Sequence, residues 1–217
     1  MTELLSFLKN PVYAQNKKPN SKEFISLLMI YFLTILPLGF IIYAFCKFFN
    51  ITHKEIILTP WMKLLVGVIL APIYEEFIFR SLLKFKKINI LLFITTLFGF
   101  IFYSISKSRT EVTTFLSIFV LSFLCLLIFT SRTQIESYIS SRFKYFFYAS
   151  ILLFGLLHAT NFTGNLYAII AFSLILGSPQ LVLGAILGYI RMNYGLVYSI
   201  LFHMIVNTSI VFSLLGS

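Results

Sequence analysis

Long apolar runs separated by short polar stretches make up nearly the whole chain. An apolar run of about 20 residues is long enough to cross the hydrocarbon core of a bilayer as an α-helix. The pattern predicts eight candidate spans, at about 24–47, 61–83, 88–105, 112–130, 145–160, 165–177, 179–192 and 195–215. The sixth is short enough for a re-entrant or half-span helix. We therefore expect an all-α fold, a polytopic transmembrane bundle of about eight spans, with six as the lower limit.

Composition strengthens the membrane interpretation. The 217 residues are 59% hydrophobic and only 11% charged, and the mean hydropathy is +0.95. Soluble domains carry about 25% charged residues, which they need to cover a surface that faces water. The two cysteines, Cys46 and Cys125, form no CxxC motif, so the sequence indicates neither a disulfide framework nor a thiolate zinc site.

The formal net charge of +10 reflects basic residues between the apolar runs, a distribution typical of the positive-inside effect and not of nucleic-acid binding. A cytoplasmic N-terminus places ten of these residues inside: Lys9, Lys17, Lys18, Lys22, Lys84, Lys86, Lys87, Arg132, Arg142 and Lys144. Six then lie outside: Lys47, Lys54, Lys63, Lys107, Arg109 and Arg191. The polar start at 1–23 is followed by a full-length apolar run, unlike a secretory signal. We expect an integral protein of a bacterial plasma membrane with its N-terminus in the cytoplasm.

Ionisable side chains inside apolar spans identify the candidate chemistry, because each costs roughly 2.5–3.5 kcal/mol to insert. Polar groups of this kind fall in three spans. The second holds Glu75, Glu76 and Arg80, the fifth His158 with Asn161, and the eighth His203 with Asn207.

Helical spacing sorts these groups. Residues four apart share a helix face, so Glu76 and Arg80 are expected to form an ion pair. Glu75 lies about 100° around the helix from Glu76 and is left free for chemistry. His203 and Asn207 share a face of the eighth span, and Phe154 shares a face with His158, where its ring can form a wall of the site.

Each of these residues has an ordinary structural explanation when taken alone, since polar side chains in spans often hydrogen-bond a neighbouring helix. Together, on three separate spans, they form a set that can converge in one site and that is suited to amide hydrolysis. A carboxylate with two imidazoles can hold a metal ion or activate water. A histidine and an asparagine side by side can donate hydrogen bonds to a developing oxyanion.

Three motifs resemble those of the CPBP (Abi-like) family, which includes the type II CAAX prenyl endopeptidases and bacteriocin-processing or immunity proteins. EEFIFR (75–80) is similar to the EExxxR motif of that family, FGLLHA (154–159) to its FxxxH motif, and HMIVN (203–207) to its HxxxN motif. They occur in the family's order, each within an apolar helix. The resemblance covers about residues 61–212.

The resemblance implies an intramembrane endopeptidase that hydrolyses a peptide bond of a membrane-associated protein or peptide. It assigns water activation to Glu75 and His158, and oxyanion stabilisation to His203 and Asn207. Four residues would support them: Glu76, Arg80, Phe154 and Asn161. The family is described as metalloproteases, although a metal-free glutamate mechanism has also been argued. Zinc held by Glu75, His158 and His203 and a reaction without a cofactor therefore both stay open.

Residues 1–60 are expected to form a polar segment, the first span and a loop. Residues 61–215 would form the protease-like domain, with an inserted helical hairpin at about 88–130.

Two other functions compete with proteolysis. One is a non-catalytic or immunity-type membrane protein of the same fold, and the other is a small ion- or proton-coupled transporter, since intramembrane His and Glu also mark ion pathways. A transporter is expected to contain an internal repeat, and none is visible in this sequence. Nothing in the sequence indicates a prenylated substrate.

Overall fold

A computed structural model describes residues 2–13, 17–18, 20–54, 58–108 and 132–215, without the side chains of 100–108, 132 and 210–215. The fourth predicted span, at 112–130, and with it the second half of the predicted hairpin, lies outside the described residues. The described part of the chain is mostly helical, which confirms the all-α class.

The elements follow one another in chain order. The α-helices are α1 (Thr2–Lys9), α2 (Ser21–Phe49), α3 (Pro60–Lys63), α4 (Ala71–Phe79), α5 (Lys87–Ser108), α6 (Arg132–Ser141), α7 (Phe143–His158), α8 (Leu166–Ala171), α9 (Ser173–Leu176), α10 (Ser178–Asn193) and α11 (Leu196–Leu215). A π-helical segment occupies Leu64–Leu70, and 3₁₀ turns occupy Ser81–Leu83 and Ala159–Asn161. Two short strands, β1 (Ile51–His53) and β2 (Phe162–Gly164), pair antiparallel with Thr52 opposite Thr163.

Two helical segments of the described chain are long and apolar enough to cross a membrane, Ser21–Phe49 and Phe143–Asn161. They match the first and fifth predicted spans. The first begins at the cap Asn20, whose side chain accepts a hydrogen bond from the Lys22 N–H, and ends at Asn50 in the left-handed conformation (φ 54°). These two segments qualify as candidate spans by their length and composition alone. The count of six to eight spans stays a prediction.

The second predicted span is helical from 60 to 83 but changes its hydrogen-bonding pattern along the way. In the π-helical part, the N–H of Ala71 donates to the carbonyl of Val66, five residues back. The same pattern would pair the next carbonyl, that of Gly67, with the N–H of residue 72. That residue is Pro72, which has no N–H. The widened turn therefore leaves the Gly67 carbonyl to find a partner elsewhere.

Helices α7 and α10 pack closely enough that only glycine fits at several positions. A Cβ added to Gly177 would lie 2.2 Å from the carbonyl oxygen of Gly155, and one added to Gly188 would lie 2.6 Å from the Phe147 ring. Small residues let helix backbones approach in this way. The contact is part of the main core, which also includes Phe154, Leu187 and Phe202. It fixes the position of α7, and therefore of His158 at its end.

Arg191 lies beside the Lys84 loop, whereas the charge pattern predicts the two on opposite sides of the membrane. Its guanidinium donates to the carbonyls of Arg80 (2.9 Å) and Ser81 (3.3 Å), next to Lys84. The Lys17 N–H also reaches the Asn193 carbonyl, so the end of α10 lies beside the N-terminal segment.

The reason for the error is the sixth predicted span. Residues 165–177 contain the two short helices α8 and α9, and the chain turns at Gly177 against Gly155, in the last turn of α7. The segment therefore does not return to the end where α7 begins, as a full crossing would. This agrees with the half-span alternative. It also reverses the predicted directions of α10 and α11.

Candidate active site

Three helices bring Glu75 and two histidines together. The carboxylate oxygens of Glu75, on α4, lie 3.8 Å from Nε2 of His158 on α7 and 3.5 Å from Nε2 of His203 on α11. The Glu75 side chain is 24% exposed, whereas that of His203 is 2% exposed. The predicted convergence of these residues, which are distant in sequence, is confirmed. Glu75 and His158, whose side chain is 19% exposed, are the members of the group that are open to an approaching molecule.

His158 is held by the end of its own helix. Its Nδ1 lies 2.7 Å from the Phe154 carbonyl oxygen. A carbonyl only accepts, so Nδ1 carries the proton and Nε2 of a neutral ring presents its lone pair towards Glu75. The Phe154 ring packs against both imidazoles, with centroid distances of 4.6 Å to His158 and 5.9 Å to His203. The wall predicted for Phe154 is therefore present.

Glu76 points into the interior and is fully buried. Nε of Arg80 lies 3.8 Å from its Oε1 atom, so the predicted Glu76–Arg80 ion pair is present. Two further contacts were not predicted. Ser199 Oγ donates to Oε2 at 2.5 Å, and Nδ1 of His203 lies 3.3 Å from Oε1. Glu76 therefore links the ion pair to the imidazole of His203.

Arg80 is fully buried and stacks on an aromatic ring. Its guanidinium carbon lies 4.1 Å from the centroid of Phe154 and 5.5 Å from that of Phe79. Within the described residues, none of its side-chain nitrogens makes a hydrogen bond. The cation is thus stabilised by the charge of Glu76 and by the electron-rich ring faces. Loss of Glu76 would leave the buried cation without its ion-pair partner.

Asn207 lies one turn beyond His203, as predicted, but its amide is engaged. Nδ2 donates to the Gly67 carbonyl at 2.9 Å, the group that the π-helical segment leaves unpaired. The second N–H of the same amide is available for another acceptor. Asn207 thus has a structural task that the spacing of the motif does not indicate.

Asn161, predicted as a supporting residue, lies in the 3₁₀ turn after α7 and is exposed. Its main-chain carbonyl accepts a hydrogen bond from the Lys54 N–H at 2.7 Å. This bond extends the pairing of β1 with β2. The hydrogen bond that the structure describes for Asn161 therefore belongs to the strand pair.

Ser199 and Arg191 are the functional candidates that sequence reasoning missed. Ser199 precedes His203 by four residues on α11, the same spacing that singled out Asn207 on the other side. Arg191 is a charged residue inside an apolar run. A charge there is costly in free energy, so its presence by itself indicates a function. It is 4% exposed and secures the end of α4 by bonding two carbonyls there.

The two predicted histidine ligands of zinc contact different oxygens of the third, Glu75. Nε2 of His158 faces Oε1 of Glu75, and Nε2 of His203 faces Oε2. Among the residues that the structure describes, no group of three or more His, Cys, Asp or Glu side chains is arranged to hold a metal ion.

Comparisons of the chain with protein-family models, with curated proteins and with solved structures found no match. Function is therefore inferred from the site itself.

Proposed function

We propose that the chain is an intramembrane endopeptidase of the CPBP type, which hydrolyses a peptide bond in a membrane-associated protein or peptide. One observation carries the proposal. A partly exposed carboxylate, Glu75, lies between the imidazoles of two histidines that are 45 residues apart in sequence and on different helices. Polar groups of this kind are costly in an apolar bundle and tend to be retained for function.

Glu75 and His158 activate the attacking water in this proposal. Their facing atoms, Oε1 and Nε2, are 3.8 Å apart, too far for a good direct hydrogen bond and close enough for one water to contact both. Both atoms accept, so the water donates one proton to each and turns a lone pair towards the substrate carbonyl. Glu75 then takes the proton as general base and delivers it to the leaving amine.

His203 and Asn207 stabilise the oxyanion that forms on the attacked carbonyl. They lie one turn apart on the same face of α11, so an Nε2–H of His203 and the second amide N–H of Asn207 can donate to one oxygen. The Gly67 carbonyl holds the Asn207 amide in a fixed orientation. Such preorganisation favours catalysis because the donors need not reorient as charge develops.

The membrane setting is supported by two segments, Ser21–Phe49 and Phe143–Asn161, and by the low charge content of the chain. The second of these segments carries His158, so the chemistry lies next to a helix of membrane-spanning length. A substrate would therefore be a protein or peptide held in or at the bilayer.

The test compares new N-termini in membrane proteomes of cells that produce the wild type or Glu75→Gln. Glu136→Gln on α6 makes the same chemical change away from the cluster and is the matched control. The proposal expects cleavage products in the wild type and in Glu136→Gln that are missing in Glu75→Gln. The same product set in all three would reject it. Products that are confirmed in cells are then tested as synthetic peptides with purified protein.

A non-catalytic membrane protein of the same fold is the second candidate. The bond between Asn207 and Gly67 favours it, because it gives a motif residue a structural use. The two candidates differ in the proteome experiment above.

A further inference from the structure

We propose that the end of the bundle around Tyr13 is a binding site for the headgroup of an anionic phospholipid. The site is made by exposed basic residues from three parts of the chain that are far apart in sequence. We call them the basic patch: Lys17, Lys18, Lys86, Lys87, Arg142 and Lys144. The inference does not depend on the proposed endopeptidase activity, because the patch contains none of the candidate catalytic residues.

Tyr13 is the residue through which the three segments meet. Its ring packs edge-on against Phe143 with a centroid distance of 5.7 Å, and its hydroxyl lies next to the main chain of Phe85. Both phenylalanines are buried. Each is flanked by basic residues, which are Lys84 and Lys86 in one case and Arg142 and Lys144 in the other. The two buried rings therefore hold their basic neighbours at one end of the bundle.

The end of helix α10 attaches the segments from the other side. The main-chain N–H of Lys17 donates to the Asn193 carbonyl at 2.5 Å. Arg191, one half-turn earlier, donates to the carbonyl of Ser81, which precedes the turn that carries Lys86. The basic patch is thus a product of the fold, and not only of the number of basic residues that the positive-inside effect places on one side of a membrane.

The carboxylates at this end are largely engaged with the protein itself. Glu3 forms an ion pair with Lys17 at 3.4 Å, and Glu23 accepts hydrogen bonds from two tyrosine hydroxyls. Glu136 on α6 is the third carboxylate that the described residues place near Tyr13. The six residues of the basic patch outnumber these three, so the surface carries positive charge that an anionic partner can neutralise.

Exposed apolar side chains lie directly beside the basic patch, which favours a lipid over a free anion. Ile88 follows Lys87 and is 58% exposed, and Tyr145 follows Lys144 and is 73% exposed. Basic residues next to exposed apolar and aromatic ones are typical of a membrane interface, where the charges meet headgroups and the apolar groups meet acyl chains. Helix α7 begins at the patch and belongs to a candidate membrane span. The chemistry fits an anionic phosphodiester such as phosphatidylglycerol.

Native mass spectrometry of the purified protein in detergent micelles tests the site, with phosphatidylglycerol and phosphatidylcholine as the titrated lipids. The wild type is expected to bind phosphatidylglycerol more tightly. Each basic residue near an anionic surface contributes about fivefold to binding, so the double variant Lys86→Gln, Lys87→Gln should bind phosphatidylglycerol about 30-fold more weakly. Its binding of phosphatidylcholine should not change. Equal affinities of the wild type for the two lipids would overturn the inference.

The double variant Lys47→Gln, Lys54→Gln is the matched control. It removes the same charge from exposed positions beyond the other end of the long helix α2 and should bind phosphatidylglycerol like the wild type. An equal loss in both double variants would show that net charge sets the affinity, against the proposal. Inorganic phosphate, added as a competitor, should not displace the lipid. Displacement would assign the basic patch to a free anion and reject the lipid site.

Two variants of Tyr13 test the geometry of the site without changing its charge. Tyr13→Ala removes the ring contact with Phe143 and should weaken the binding of phosphatidylglycerol, because Lys17 and Lys18 are then no longer held beside the other two segments. Tyr13→Phe keeps the ring and should retain most of the wild-type affinity. Wild-type affinity in Tyr13→Ala would contradict a site that is built by this contact.

Discussion

The amide of Asn207 on α11 donates to the main-chain carbonyl of Gly67 at 2.9 Å. The carbonyl is available because the residue five positions later, Pro72, has no N–H to complete the π-helical pattern. The Asn207 side chain, part of a candidate catalytic motif, thus satisfies a main-chain carbonyl in the helical segment that leads to Glu75. Its structural and catalytic tasks can be separated by supplying the missing N–H.

The first prediction uses this separation. Asn207→Ala is expected to lower the melting temperature, because a half-buried carbonyl loses its partner at a cost of about 1–3 kcal/mol. Pro72→Ala in the same chain supplies an N–H and should recover much of that loss. If Asn207 is also an oxyanion donor, turnover of the double variant should stay about 100- to 1,000-fold below wild type. Recovery of turnover together with stability would show that the role of Asn207 is structural alone.

The two adjacent glutamates are expected to respond differently to the same substitution. Glu75→Gln should abolish cleavage with little change in stability, because Glu75 is partly exposed and acts as the base. Glu76→Gln should lower stability by about 3–5 kcal/mol, because it leaves the buried Arg80 without its compensating charge. Thermal unfolding in detergent and the cleavage assay, run on both variants, check this. Normal turnover in Glu75→Gln would show that the catalytic assignment is wrong.

A third prediction concerns pH. Burial, with added repulsion from Arg191 and Lys86, lowers the pKa of Lys84 from 10.5 to about 8. The unfolded chain keeps the ordinary pKa, so between pH 8 and 10.5 it binds more protons than the folded state, and stability rises with pH. Below pH 8 both states are protonated and the full penalty of burying the charge applies.

The measurement is the melting temperature between pH 7 and 10.5. We expect it to contain a rising component that is lost in Lys84→Met, which keeps the buried stem and removes the charge. Lys144→Met, at the start of α7, is the control for a general effect of net charge and should retain the rise. Parallel pH curves for the wild type and Lys84→Met would contradict the prediction.

The contact between α7 and α10 gives a fourth prediction. Gly177→Ala should be strongly destabilising, because its Cβ would meet a backbone oxygen, that of Gly155, at 2.2 Å. Gly39→Ala on α2 is the matched control, since nothing lies within 4 Å of its added Cβ. It should be neutral or stabilising by up to about 1 kcal/mol. Equal melting temperatures for the two variants would contradict the close approach of these helices.

Much of the cluster could be predicted because burial is costly for charged groups. The spacing of Glu76 and Arg80 predicted their pairing, and the cost of leaving Glu75, His158 and His203 in lipid predicted that they converge. Ser199 lies four residues from His203, as Asn207 does, but serine is common in apolar helices, so this spacing alone did not indicate the contact with Glu76.

The direction of α10 was mispredicted for a different reason. The apolar run at 165–177 satisfies the hydropathy pattern of a short span, but its path depends on the close contact of Gly177 with Gly155. Such a contact between distant residues has no signal in local hydropathy. The bond from Arg191 to the Arg80 carbonyl follows from the same reversal.

The N-terminal helix α1 is held by the part of the chain that is made late. Its Phe7 is buried and packs edge-on against Tyr189 with a centroid distance of 5.3 Å, and the carbonyl of Leu8 accepts a hydrogen bond from Tyr148. At ordinary rates of protein synthesis, the ribosome takes roughly 10–40 s to reach Tyr189 after Phe7. During biosynthesis, the surface around Tyr189 on which α1 docks is therefore absent until most of the chain has been translated. The docking of α1 belongs to the last steps of assembly.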